Sequence, residues 1–145
     1  MVIKVSADEM SDFLAKVFPQ VQDDFRIEQL DENGAKVRMM VAERHLRPGG
    51  TVSGPSMFAL ADVAAYIATM ALVGKEALAV TTNCSLDFMR KPEAGRDLIA
   101  TCEVLKLGRA LSVCDVRIYS EGMSKPVARA NMTYSIPPKR AEKMG

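Results

Sequence analysis

The stretch from Pro55 to Val73, PSMFALADVAAYIATMALV, carries a single charged residue, Asp62. Alanines at 59, 61, 64, 65, 68 and 71 interleave with Met57, Leu60, Ile67 and Leu72. Pro55 suits a first helical turn, where its missing N–H is no loss, and Gly74 suits the cap at the far end. A helix apolar nearly all round either crosses a membrane or fills a core. A carboxylate well inside a span costs roughly 2.5–3.5 kcal/mol on insertion scales. The segments around this one read as amphipathic strands that need a helix to cover. The spacing therefore predicts a buried core helix.

Working outward, Ser6-Ala-Asp-Glu9 is a capping-box pattern, and Phe13, Leu14, Val17 and Phe18 supply an apolar stripe ended by Pro19. This predicts a helix over 7–18. Strands are expected from Phe25 to Glu32 and from Ala35 to Glu43, joined at Asn33-Gly34, a hairpin signal because both residues tolerate positive φ. Pro48, Gly49 and Gly50 mark a loop. Beyond the long helix come four β-rich runs, Leu78–Met89, Leu98–Lys106, Leu111–Tyr119 and Val127–Ile136. Cys114, Val116 and Ile118 alternate with Asp115 and Arg117, as a half-buried strand requires. The tail 137–145 is polar and expected to fray. Helix, hairpin, long helix and four strands imply one α+β domain over 1–145, its core at 25–136, with an antiparallel sheet wrapped around the central helix.

Charge names no partner. The 145 residues carry a formal net charge of +1, so neither nucleic acid nor an acidic membrane is an expected ligand. The N-terminus, MVIKVSADEMSDFL, lacks the features of a signal peptide, which makes the cytoplasm the expected location. Cys84, Cys102 and Cys114 form no Cys-x-x-Cys pair and sit in strand-like runs, where small buried thiols of a reducing compartment are expected.

Two features carry chemistry. Asp62 must face a cavity, a partner or water, or else cap a nearby backbone group, because an unpaired buried carboxylate is costly. The segment Gly49-Gly50-Thr51-Val52-Ser53-Gly54-Pro55 runs into the helix N-terminus. Free amides there can hold a carbonyl oxygen as it gains negative charge, or the segment is simply a turn that starts a helix. Gly54 lies about 12 Å from Asp62 by the helical rise, so a substrate lying along the helix could meet both.

Ser53-Gly54-Pro55-Ser-Met-Phe-Ala-Leu-Ala-Asp62 resembles the His-Gly-Gly…Leu-Ala-Asp signature of hotdog-fold acyl-CoA thioesterases of the phenylacetate-degradation type. Val80-Thr-Thr-Asn-Cys-Ser-Leu-Asp-Phe-Met-Arg-Lys-Pro92 looks like that family's next strand. Ala94-Gly95, Gly108-Arg109, Val127-Ala128 and Thr133-Tyr134 resemble its later landmarks, so the likeness runs from about 25 to 136. The resemblance implies a hotdog fold and hydrolysis of acyl-CoA thioesters. It implies that Asp62 activates water or attacks the carbonyl, that the Gly54 amide polarises that carbonyl, and that Thr81 of a partner subunit orients the water. A homodimer or dimer of dimers is implied, with coenzyme A present only as part of the substrate. Three positions depart from the pattern: the family's histidine is Ser53, its second glycine is Pro55, and its upstream asparagine falls near Arg47.

Other candidates are weaker. His45, the only histidine, is expected in a surface loop or touching substrate, and with no ligand cluster beside it no metal site is expected. Arg90, Lys91, Lys106 and Arg109 lie at strand ends or turns and are either solvated or placed for the phosphates of coenzyme A. Tyr66, one turn after Asp62, is a core tyrosine or a contact near the site. The rivals to hydrolysis are a non-catalytic acyl-CoA or lipid-binding module, favoured by Ser53 and Pro55, and a hotdog dehydratase, which would need a histidine paired with an acid.

Overall fold

The computed structural model describes residues 2–138; the end of the polar tail expected over 137–145 lies outside them. The elements, in chain order, are α1 (Ala7–Val17), β1 (Phe25–Asp31), β2 (Gly34–Met39), α2 (Gly54–Val73), β3 (Val80–Phe88), β4 (Leu98–Leu107), β5 (Leu111–Ser120) and β6 (Ala128–Ser135). The six strands form one antiparallel sheet in the order β1-β2-β4-β5-β6-β3. The sheet curls around α2, which packs against β2, β4, β5 and β6. This is the hotdog fold.

The apolar run at 55–73 behaves as a core helix. By length and composition α2 could cross a membrane, yet from Leu60 to Leu72 every residue except Asp62 is buried. Its alanines let the strands approach closely, and the interior is filled by Met39, Leu60, Ile67, Met70, Leu98, Ile118 and Met132. The Ser53 hydroxyl caps the first turn by accepting from the Ser56 amide, and Gly74 closes the helix at φ 107°. Cys102 and Cys114 are buried as expected, and Cys84 is half-buried. On β5 and β6 the alternation holds: Cys114, Val116 and Ile118, then Ala128, Ala130, Met132 and Tyr134, all face α2.

Three local expectations are corrected. In α1 the capping box forms between Ser6 and Glu9, but the buried positions are Met10 and Leu14. Val17 and Phe18 are left 45% and 36% exposed, at the lip of a cavity described below. The hairpin turn is Glu32-Asn33, not Asn33-Gly34. The Asp31 carboxylate accepts from the Asn33 amide at 2.8 Å, and among the described residues only glycines have positive φ. Gly34 is needed for another reason: at φ 145°, a Cβ there would lie 1.8 Å from the Cys102 carbonyl oxygen. Finally, β2 stops at Met39 rather than running to Glu43. The Asp97 carboxylate takes the Val41 amide at 3.0 Å, and the chain turns into a short 3-10 segment at Glu43–His45. Arg38 ties this corner together, reaching Glu28 at 2.7 Å, Asp97 at 3.0 Å and Glu121 at 2.7 Å.

Candidate functional site

Asp62 is the single interruption in the buried stretch of α2, and two hydroxyls meet it. Thr81 on β3 and Tyr134 on β6 are register partners across the sheet. Both donate to the same carboxylate oxygen, Oδ1: Thr81 through Oγ1, and Tyr134 through its phenol at 2.7 Å. The Tyr134 hydroxyl also lies 3.0 Å from the Asp62 carbonyl oxygen. No hydrogen bond from a described residue reaches Oδ2. Hydrogen bonds of this kind fix a carboxylate's rotamer. Burial first, and then the charge of Asp62, push the Tyr134 phenol far above its ordinary value of 10, so it remains a donor. The same two causes raise the Cys84 thiol on β3.

The carboxylate opens on a cavity of about 360 Å³. Tyr66 and Tyr134 stack along its wall at 5.9 Å between ring centroids, and Phe18 meets Tyr66 edge-on at 6.2 Å. Val17, Val63 and Ala79 complete an apolar lining beside Thr81. Tyr66 is therefore at the site, but its hydroxyl is committed to the Ala77 carbonyl at 2.8 Å. A carboxylate with one free oxygen at the edge of an apolar, tyrosine-walled cavity can take a proton from water or attack an acyl carbon.

Gly54 does not line this cavity. It sits at the start of α2 under the Phe88 ring, whose nearest atom would be 3.4 Å from an added Cβ. The Ser53 amide bonds to the His45 carbonyl, Pro55 has no N–H, and the Ser56 amide is held by Ser53. Among the described residues, the Gly54 amide has no hydrogen-bond partner. Asp62 and the Gly54 amide, expected from the sequence to serve as acid and carbonyl donor, thus lie apart within one chain.

The other expected site residues are placed differently from their expectation. Thr81, expected from a partner subunit, reaches Asp62 of its own chain because β3 and β6 pair with Thr81 opposite Tyr134. His45 is not a surface-loop residue. It is buried, its Nδ1 accepts from the Ala42 amide at 2.8 Å, and its Nε2 lies 3.3 Å from Asp24, out of line for a hydrogen bond. Burial works to raise the Asp24 carboxyl, but Arg44 and His45 together outweigh it and hold the group below its ordinary value. This makes His45 a prop for the loop before α2, away from the cavity. Ser53 is spent on its cap, and Arg47 is exposed in the turn closed by the Leu46–Val52 bridge. Arg90 and Lys91 share a cleft of about 320 Å³ with Lys125, beyond Phe88 at the start of α2. Arg109 lines a cleft of about 360 Å³ with Lys4 and Val73, at the other end of the helix. One ligand cannot be gripped by Arg90 and Arg109 of the same chain. Lys106 is exposed on β4. Tyr134, which the resemblance supplied only as a landmark, proves to be one of the two hydrogen-bond donors to the Asp62 carboxylate. Its signal was the inward alternation of β6, but its partner depended on register.

The family model described as "Thioesterase superfamily" matches residues 49–127. The acyl-coenzyme A thioesterase PaaI of Escherichia coli is 34% identical over 93 residues, 63% of this chain and 64% of that protein. Human acyl-coenzyme A thioesterase 13 is 31% identical over 97 residues, 66% of this chain and 67% of that protein. The match thus spans just under two thirds of PaaI's length. A provisionally named thioesterase of Silicibacter sp., solved as a crystal structure, is 60% identical, covers 94% of both chains and superposes with a TM-score of 0.88.

Proposed function

Given that the chain belongs to the thioesterase superfamily, we propose that it hydrolyses acyl-CoA thioesters to a free acid and coenzyme A, with Asp62 as the reactive group. One observation carries this: a half-buried carboxylate at the wall of a cavity lined by Phe18, Tyr66 and Tyr134, with Oδ1 held by Thr81 and Tyr134 and Oδ2 taking no hydrogen bond from the described residues. Oδ2 takes a proton from water as the water oxygen bonds to the thioester carbonyl carbon. The tetrahedral adduct then collapses, the carbon–sulfur bond breaks, and the proton passes to the departing thiolate. Attack by Oδ2 itself, through a mixed anhydride, would use the same geometry and give the same products. Neither route asks for a metal or a further cofactor.

The carbonyl donor comes, in this reading, from a second copy of the chain. β3 is an edge strand, with Leu78, Val80, Phe88 and Met89 exposed along or beside it. Long edge strands with apolar side chains invite pairing. When a strand pairs antiparallel with itself about a two-fold axis, each end lies beside the other end of its partner. The Thr81 end of β3 then meets the partner's Phe88 end, under which lies the Gly54 amide of the partner subunit. Arg90, Lys91 and Lys125 of that same end are placed for the phosphates of coenzyme A, where guanidinium and ammonium groups serve. Arg109 is not. A homodimer is thus the smallest complete unit, working in the cytoplasm where Cys102 and Cys114 stay reduced.

The test is thiol release from short, medium and long acyl-CoAs. Steady turnover of at least one is expected. Tight binding of acyl-CoA with no thiol released would replace the enzyme with a binding module.

A further inference from the structure

The Asp62 cavity has a neighbour. Asp62 and Tyr66, one turn apart, face the first cavity, while Ile67, on the next stripe of α2, faces a second of about 280 Å³. Between the two stripes stands Val63, which lines both. The second cavity is walled by Leu14 of α1, Val21 of the following turn, and Phe25 and Ile27 of β1. Its polar lining residues, Asp12 and Arg26 among them, are exposed at the outer edge. α1 and its continuation roof both spaces: Val17 and Phe18 over the first, Leu14 and Val21 over the second. Val63 itself is only 6% exposed and belongs to the core, so it is held in place rather than free to swing aside.

We infer that Val63 is the partition that sets the acyl-chain length this protein accepts. The inference rests on the proposed thioester hydrolysis and names its substrate class as linear acyl chains. With the carbonyl at Asp62, the first carbons of the chain lie against Tyr66, Tyr134 and Phe18. The methyl groups of Val63, which lines both cavities, stand between that space and the second. Behind them is apolar space that a longer chain would fill. In its native form the site takes short chains, and the second cavity is space that Val63 keeps from it. The preference comes from one side chain rather than from the cavity's overall size. Trimming that side chain should therefore change specificity without touching Asp62, Thr81 or Tyr134.

The test measures kcat/KM for butyryl-, hexanoyl-, octanoyl- and decanoyl-CoA with wild type, Val63→Ala and Val63→Ile, with melting curves to establish folding. Val63→Ala should raise the decanoyl-to-butyryl ratio by about tenfold or more, the scale on which apolar pockets discriminate single methylenes. Val63→Ile should move the ratio the other way. A folded Val63→Ala protein with the wild-type ratio overturns the inference while leaving thioester hydrolysis standing. If Val63→Ala does not fold, Val63→Ile decides: a shift toward butyryl supports the partition, and an unchanged ratio overturns it. A wild-type protein that cleaves none of the four overturns this inference, and the function beneath it falls as well only if long-chain acyl-CoAs release no thiol either.

Discussion

Replacing Tyr134 by Phe removes one hydroxyl and keeps the ring that stacks on Tyr66 at 5.9 Å. What is lost is the donor 2.7 Å from Asp62 Oδ1, itself buried. A hydrogen bond to a charged acceptor contributes roughly 1.5–3 kcal/mol. Thr81 still donates to the same oxygen, so the carboxylate is not left bare and the lower half of that range applies. Tyr134→Phe should therefore destabilise the fold by about 1.5 kcal/mol, read as a melting temperature roughly 5 °C lower. The pH dependence has a definite sign. The phenol's folded pKa lies above its unfolded value of 10. Its contribution is thus whole below pH 10 and fades as pH climbs beyond it, in wild type and not in Tyr134→Phe. Turnover should drop about tenfold with KM unchanged, because the carboxylate is less well aimed while the cavity is intact. Calorimetry and a thiol-release assay on the same preparations measure both. A variant that melts within about 1 °C of wild type and keeps its kcat would refute the idea that the tyrosine positions Asp62.

Further outcomes follow from other parts of the molecule. Gly54→Val should fold, because its first contact is the movable Phe88 ring at 3.4 Å. Its turnover should fall by about 10²–10³ if crowding displaces the carbonyl from the amide, while calorimetry finds coenzyme A affinity little changed. Val80→Lys places a charge on the free edge of β3, where Val80 is 56% exposed. Sedimentation equilibrium should show wild type at a multiple of 15.8 kDa and the variant at the monomer mass. Glu28→Gln cuts one arm of the Arg38 network. The hydrogen bond from Arg38 holds the Glu28 carboxyl below its ordinary 4.5, so its contribution is present above pH 4.5 and lost as pH falls below it. The variant should be less stable than wild type at pH 7, and the two should converge in acid denaturation series.

The fold was legible because its deciding signals are local. The apolar run at 55–73, Gly74, the Ser6–Glu9 box and the alternation of β5 and β6 each describe a neighbourhood the sequence contains. The same holds for Asp62, conspicuous as the one charge in that run. What escaped was set by pairing between distant segments. Nothing near Thr81 says that it lies opposite Tyr134, yet that register supplies both donors to Asp62 and returns Thr81 to its own chain. His45 read as a loop residue because Pro48, Gly49 and Gly50 follow it; nothing nearby shows that it is buried beside Asp24, twenty-one residues earlier. Arg90 and Arg109 read alike as cations at turns, and only the run of α2 between them places them at opposite ends. Val17 and Phe18 fitted an apolar helical stripe, but the helix turned Met10 and Leu14 inward and left those two over the cavity.

The central claim is that Asp62 performs the chemistry, and Asp62→Asn tests it most directly. An asparagine can turn its amide oxygen to Thr81 and Tyr134, accepting both hydrogen bonds, and place its NH2 group where Oδ2 now takes no hydrogen bond from the described residues. The fold, the oligomer and acyl-CoA binding should survive, while an amide neither takes a proton from water nor attacks a thioester. The measurement is thiol release from the best wild-type substrate, with circular dichroism on the same sample. The account predicts a native spectrum with turnover at the uncatalysed background; a native spectrum with turnover near that of wild type would contradict it.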